Sequence, residues 1–227
     1  QPSWKHCLTQ AREKREHLAK LAEKHYRATE KLIRPIVLVQ VERTGKDQRD
    51  TGFVHSEDVK EYLMQRESVH ESAIAIKTSD KDDIEGMDLL AEGCRVEWII
   101  TKAALQEGWD CPFAYILVSL NNTGSQQSMT QLVGRVLRQP YVARTPFDEL
   151  NESYVFCLRR KAADISREVK KALEQEGYEG DAASVVDRST EDGKTVQKRE
   201  ATIREEFRRY YREFEGKIYL PRFCVKH

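Results

Sequence analysis

Two short segments hold residue types that could act on a phosphate group. The first is Thr101-Lys102-Ala103-Ala104-Leu105-Gln106-Glu107-Gly108-Trp109-Asp110-Cys111-Pro112. It directly follows an apolar run, so it leaves the end of a predicted strand. Thr101 presents a hydroxyl there, suited to a phosphate oxygen. Gly108 permits a close backbone approach or an unusual φ, and Asp110 brings a carboxylate to the same rim. A Gly-x-Asp turn also occurs as a purely structural turn.

The second segment is Gln131-Leu132-Val133-Gly134-Arg135-Val136-Leu137-Arg138-Gln139-Pro140. At roughly 100° per residue on a helix, Met129, Leu132, Val133, Val136 and Leu137 share one face, while Gln131, Arg135 and Arg138 share the opposite one. An amide and two guanidiniums on one stripe can clamp a multiply charged anion, because guanidinium forks match phosphate oxygens in geometry and charge. Gly134 costs such a helix about 1 kcal/mol against Ala, which calls for tight packing or a ligand close by. The competing reading is a solvated arginine face, with Gln131 completing a capping box with Ser128.

The elements that must position these segments are legible as alternating periods. Ile36-Val37-Leu38-Val39-Gln40-Val41 is a nearly continuous apolar run, which suits a strand buried on both faces of a parallel sheet. Similar runs at 73–76, 96–100, 115–120 and 154–158 predict four more strands. Between them, 45–51 reads as a polar loop, 57–66 as a helix capped by Ser56, 79–92 as a short acidic helix and 125–138 as a helix. Strands alternating with helices predict an open α/β domain over 34–160, with ligands at the carboxyl ends of its strands.

Ahead of this domain, 1–33 reads as one long helix. Trp4, Leu8, Ala11, Leu18, Ala22, His25 and Leu32 form a thin stripe that Arg15 and Thr29 interrupt, and Pro35 is expected to stop it. A packed linker helix and a partner-binding coiled coil both fit that pattern. Behind the domain, 161–227 reads as a charged extension, with helices over 161–176 and 199–213 and a strand at 217–220.

Composition limits the chemistry. The 227 residues are 39% hydrophobic and 33% charged, with enough Val, Ile and Leu for one modest core. No run approaches the roughly 20 apolar residues that span a bilayer, so no membrane partner is expected. The opening residues lack Met and a charged-then-apolar leader, and the chain reads as a piece of a longer cytoplasmic protein. Five widely spaced cysteines without a CxxC argue against a disulfide framework or zinc site. Net charge is zero, yet residues 1–35 hold nine Lys or Arg against four Glu, while 42–95 hold fourteen acidic residues against eight basic. The tail from Asp187 is basic again, eleven against eight, and basic ends of this kind fit either a nucleic-acid footprint or solvated helix faces.

Gln-x-x-Gly-Arg-x-x-Arg at 131–138 resembles motif VI of superfamily two helicases. The segment from Thr101 to Asp110 resembles their motif V, and the strand over 33–42 stands in the place of motif IV. Glu-Gly-Trp-Asp-Cys-Pro followed by Gly-Arg-Val-Leu-Arg-Gln-Pro is closest to the restriction subunit of type III restriction enzymes and related DEAD/DEAH-like helicases. The match covers about 34–160.

The resemblance implies a RecA-like second motor lobe that closes on ATP and Mg2+ against a first lobe absent from this chain. It implies that Arg138 is an arginine finger, that Arg135 and Gln131 contact the γ-phosphate or orient water, and that Gly108 and Asp110 face the nucleotide or hold those arginines. Thr101 would then touch the DNA backbone, and a modification methyltransferase subunit would be a further partner. The chain has no G-x-x-x-x-G-K-[ST] and no DExx run, so ATP turnover by this chain alone is not expected. A non-catalytic nucleic-acid or partner-binding module is the alternative. A dinucleotide-binding enzyme is disfavoured by the lack of G-x-G-x-x-G.

Overall fold

A computed structural model describes residues 3–42, 54–102, 111–120, 140–158, 167, 186–187 and 222–226. Seven strands form one sheet: β1 (Ile36–Gln40), β2 (Ile74–Lys77), β3 (Trp98–Thr101), β4 (Ala114–Ser119), β5 (Glu152–Cys157), β6 (Val186–Asp187) and β7 (Arg222–Lys226). Their order is β2-β3-β1-β4-β5-β7-β6, and every pair is parallel. The fold is α/β, with two described helices, α1 (Trp4–Thr29) and α2 (Ser56–Gln65).

The first five strands coincide with the five apolar runs because both of their faces are covered. Odd-numbered positions of β1 (Val37, Val39) join Trp98, Ile100, Ile116, Val118 and Phe156 in one core, which α1 and α2 cover with Leu8, Leu18, Val59 and Leu63. Even-numbered positions (Ile36, Leu38) join Ile99, Leu117 and Val155 in a second core under Ile84, Leu89, Cys111 and Phe113. Alternation between faces, with apolar cover on both, yields the unbroken β-branched runs.

α1 is a packed helix. Ser3 caps it, its side chain accepting from the His6 amide at 3.2 Å. Cys7, Leu8, Ala11, Leu18, Ala22 and His25 are buried. The gap in the stripe has a structural use. Lys14 places its Nζ 4.0 Å from the Tyr154 ring centroid. Arg15 pairs with Glu97 and donates to the Pro35 carbonyl. Long side chains thus lay their stems on apolar surface while their charged ends find partners.

Three expectations about element boundaries change. α1 ends at Thr29, before Pro35 can act: Glu30 takes a left-handed φ of 57° and its amide donates to the Tyr26 carbonyl at 2.7 Å. α2 begins at Ser56 itself, with His55 as the N-cap, whose amide donates to Asp58 at 3.0 Å. Residues 79–92 form turns instead of a helix. Aspartates there bind nearby amides: Asp83 accepts from Ile76 at 2.9 Å, Asp82 from Ile84 at 3.2 Å and Asp88 from Leu90 at 2.8 Å. Such local bonds compete with a helix. Gly86, at φ 69°, makes the left-handed turn that most other residues resist.

The loop over 45–51 and the helices over 125–138, 161–176 and 199–213 lie outside the described residues, apart from the helical Arg167. So does 217–220; the strand described in that region is β7, which pairs with β5. No described helix is long and apolar enough to cross a membrane.

Candidate functional site

The carboxyl ends of the strands share one polar register row. Lys77 of β2 pairs with Thr101 of β3, Thr101 with Gln40 of β1, Gln40 with Ser119 of β4, and Ser119 with Cys157 of β5. The row before it is wholly apolar: Ile76, Ile100, Val39, Val118 and Phe156. Residues paired in one row of a parallel sheet point to the same face. The polar row therefore faces the second core, away from α1 and α2.

The row is tightly held. Beyond the strand ends the ladder continues, with the Val41 amide donating to the Thr101 carbonyl at 2.8 Å, Leu120 to Gln40 at 2.9 Å and Leu158 to Ser119 at 3.1 Å. Gln40 and Thr101 are 2% exposed, and Ser119 is 3% exposed. Glu42, two residues past Gln40, is also buried. At the outer end Lys77 pairs with Asp82 and holds its carboxyl below the usual carboxylate range.

Chain direction marks where a ligand would sit. β1 connects leftward to β2 through α2, while β4 connects rightward to β5. Connections that diverge from two adjacent strands open a crevice at their carboxyl ends. Here those strands are β1 and β4, which end on the buried Gln40 and Ser119. The row therefore ends the sheet on two hydroxyls and an amide that are buried where the segments after β3 and β4 begin.

Thr101 is the expected site residue that the structure describes, and it lies in this row. Gly108, Asp110, Gln131, Arg135 and Arg138 lie outside the described residues. Their segments begin at neighbouring points, however: 103–110 follows β3 and 121–139 follows β4. Sequence reasoning singled out Thr101 and missed its row partners Gln40 and Ser119. A signal for them exists, since each strand ends an apolar run on one polar residue: IVLVQ, WIIT and AYILVS.

Among the described residues no group of three or more His, Cys, Asp or Glu is arranged to hold a metal ion. No family model matches the chain, and no curated protein matches it.

Proposed function

We propose that this chain is the second motor lobe of an ATP-dependent DNA translocase or helicase, of the RecA-like kind found in type III restriction subunits. One observation supports this most. The two segments bearing the motif-like residues start from Thr101 and Ser119, which flank Gln40 in a single row beside the switch point. Groups meant for one nucleotide must converge from one sheet edge, and these segments depart from one.

In this reading a partner lobe holds ATP and Mg2+, and the γ-phosphate meets Gln131, Arg135 and Arg138 across the interface. Charge that accumulates on the transferring phosphoryl group is stabilised by guanidinium donors placed in advance. Arg138 is the finger, Arg135 and Gln131 hold the phosphate or orient water, and Gly108 and Asp110 border the nucleotide. Thr101 contacts the DNA backbone. ATP binding closes the lobes, hydrolysis releases them, and the cycle moves the protein along DNA.

The test uses a protein that carries both lobes. DNA-stimulated ATP hydrolysis is expected, and Arg138→Ala is expected to lower turnover by roughly 10³-fold or more while ATP still binds. Unchanged turnover in that variant refutes the finger assignment. Robust ATPase by the 227-residue chain alone refutes the half-motor reading.

A further inference from the structure

We propose that a cleft at the opposite, amino edge of the sheet is a phosphate-binding site. The cleft encloses about 470 Å³ and is lined by four arginines: Arg12 and Arg15 from α1, Arg34 ahead of β1 and Arg95 ahead of β3. Three carboxylates also line it, and their partners decide its charge. Glu16 and Glu67 are both taken by Arg12, and Glu97 is taken by Arg15. Arg34 and Arg95 form no ion pair among the described residues.

Arg34 is held in place without being neutralised. It donates to the carbonyl oxygens of Leu89 and Ala91, which carry no formal charge. Its guanidinium lies 5.8 Å from the Phe113 ring centroid. Its Nε is buried and has no acceptor among the described residues. Arg34 is also close enough to Arg15 for its charge, together with the larger effect of burial, to lower the Arg15 pKa. Arg95 is exposed at the mouth and makes no hydrogen bond among the described residues.

The held Arg34 guanidinium and the exposed Arg95 both line the cleft, and together they favour a phosphate there. The Arg95 fork can give two parallel hydrogen bonds, a match that lysine lacks, while Arg34, whose terminal nitrogens already donate to Leu89 and Ala91, adds positive charge. Ser72 and His70 add polar groups on the same wall, joined at 2.8 Å through Ser72 Oγ and His70 Nδ1. The phosphate could belong to a small molecule or to a nucleic-acid backbone. The cleft lies at the other end of the strands from the Thr101 row, so it stands independently of the motor reading.

Isothermal titration of the 227-residue chain distinguishes these sources, with inorganic pyrophosphate in one arm and a short oligothymidylate in the other. Saturable binding in either arm is expected, weakened about tenfold by Arg95→Gln, which removes one charge-assisted contact at an exposed position. Arg34→Gln, which removes the charge and is checked for folding by circular dichroism, is expected to weaken it at least as much. Arg27→Gln, on the exposed far end of α1, is expected to change nothing. Loss in the pyrophosphate arm assigns a small phosphate ligand, and loss confined to the oligonucleotide arm assigns a backbone phosphate. Absence of saturable binding in both arms overturns the proposal, as does equal binding by wild type and Arg95→Gln, or an equal loss in Arg27→Gln.

Discussion

Thr101 and Ser119 sit on opposite sides of Gln40, each paired with it in the same register row. They are eighteen positions apart in sequence, and only the crossover from β3 past β1 to β4 makes them near neighbours. The segments that follow β3 and β4 in sequence therefore leave the sheet from adjacent points of one row.

Thr101→Val tests whether the row takes part in function. The substitution keeps the branched shape and removes the hydroxyl. Because the site is buried, the partner left behind is expected to cost about 1–3 kcal/mol of stability, read from urea unfolding. In a two-lobe protein, DNA-stimulated ATPase is expected to fall about tenfold with the unstimulated rate nearly unchanged. Lost stability with full DNA stimulation would assign the hydroxyl to the fold alone.

The five main strands were legible because parallel strands covered on both faces leave an unbroken apolar signature. The stripe of α1 was legible for a similar reason, as Leu8, Ala11, Leu18 and Ala22 all reach one core. The turns over 79–92 were not. Their acidic residues suit an exposed helix by composition, and only the folded chain shows Asp82 and Asp83 turned back on the end of β2. The row partners of Thr101 were missed because register is a long-range property that no local window contains. The same holds for the amino-edge cleft, where Arg34 and Arg95 are brought together by strand order alone. For the motif residues at 108–110 and 131–138, sequence remains the source of the assignment.

Leu18→Ala separates a packed α1 from a helix reserved for a partner. Leu18 is fully buried against the sheet. Truncation is expected to cost about 2–5 kcal/mol, measured as a lower urea midpoint with an unchanged slope. A helix that docked elsewhere would give a change near zero.

Glu67 gives the fold an acid-sensitive clasp between α1 and the end of α2. Burial alone would raise its pKa. Hydrogen bonds from Thr9 at 2.5 Å, Arg12 at 2.6 Å and Tyr62 at 3.0 Å outweigh that and hold it below the ordinary value. A carboxyl depressed on folding stabilises above its unfolded pKa of about 4.3, and that contribution fades as pH falls through the folded value. Wild-type stability is thus expected to drop below about pH 4.5. In Glu67→Gln this part of the acid slope should vanish, with lower stability at pH 7. An unchanged slope would show that other carboxyls dominate acid unfolding.

His25 acts in a separate window. Its ring is buried near the end of α1, and its Nδ1 has no hydrogen-bond partner among the described residues. A histidine at a helix carboxyl end would ordinarily favour its charged form. Here burial, followed by the nearby Lys31 charge, lowers the pKa instead. The folded state therefore prefers the neutral ring, and the unfolded chain takes up the proton first as pH falls below about 6.5. That contribution is complete above the unfolded pKa and is lost as pH drops through the folded one. Urea midpoints at pH 7.5 and 5.5 are expected to differ in the wild type, with the lower midpoint in acid. His25→Gln cannot take up this proton, so the difference should shrink. Equal shifts in both proteins would mean that the ring is protonated at no cost in the folded state, and that the end of α1 opens readily to water.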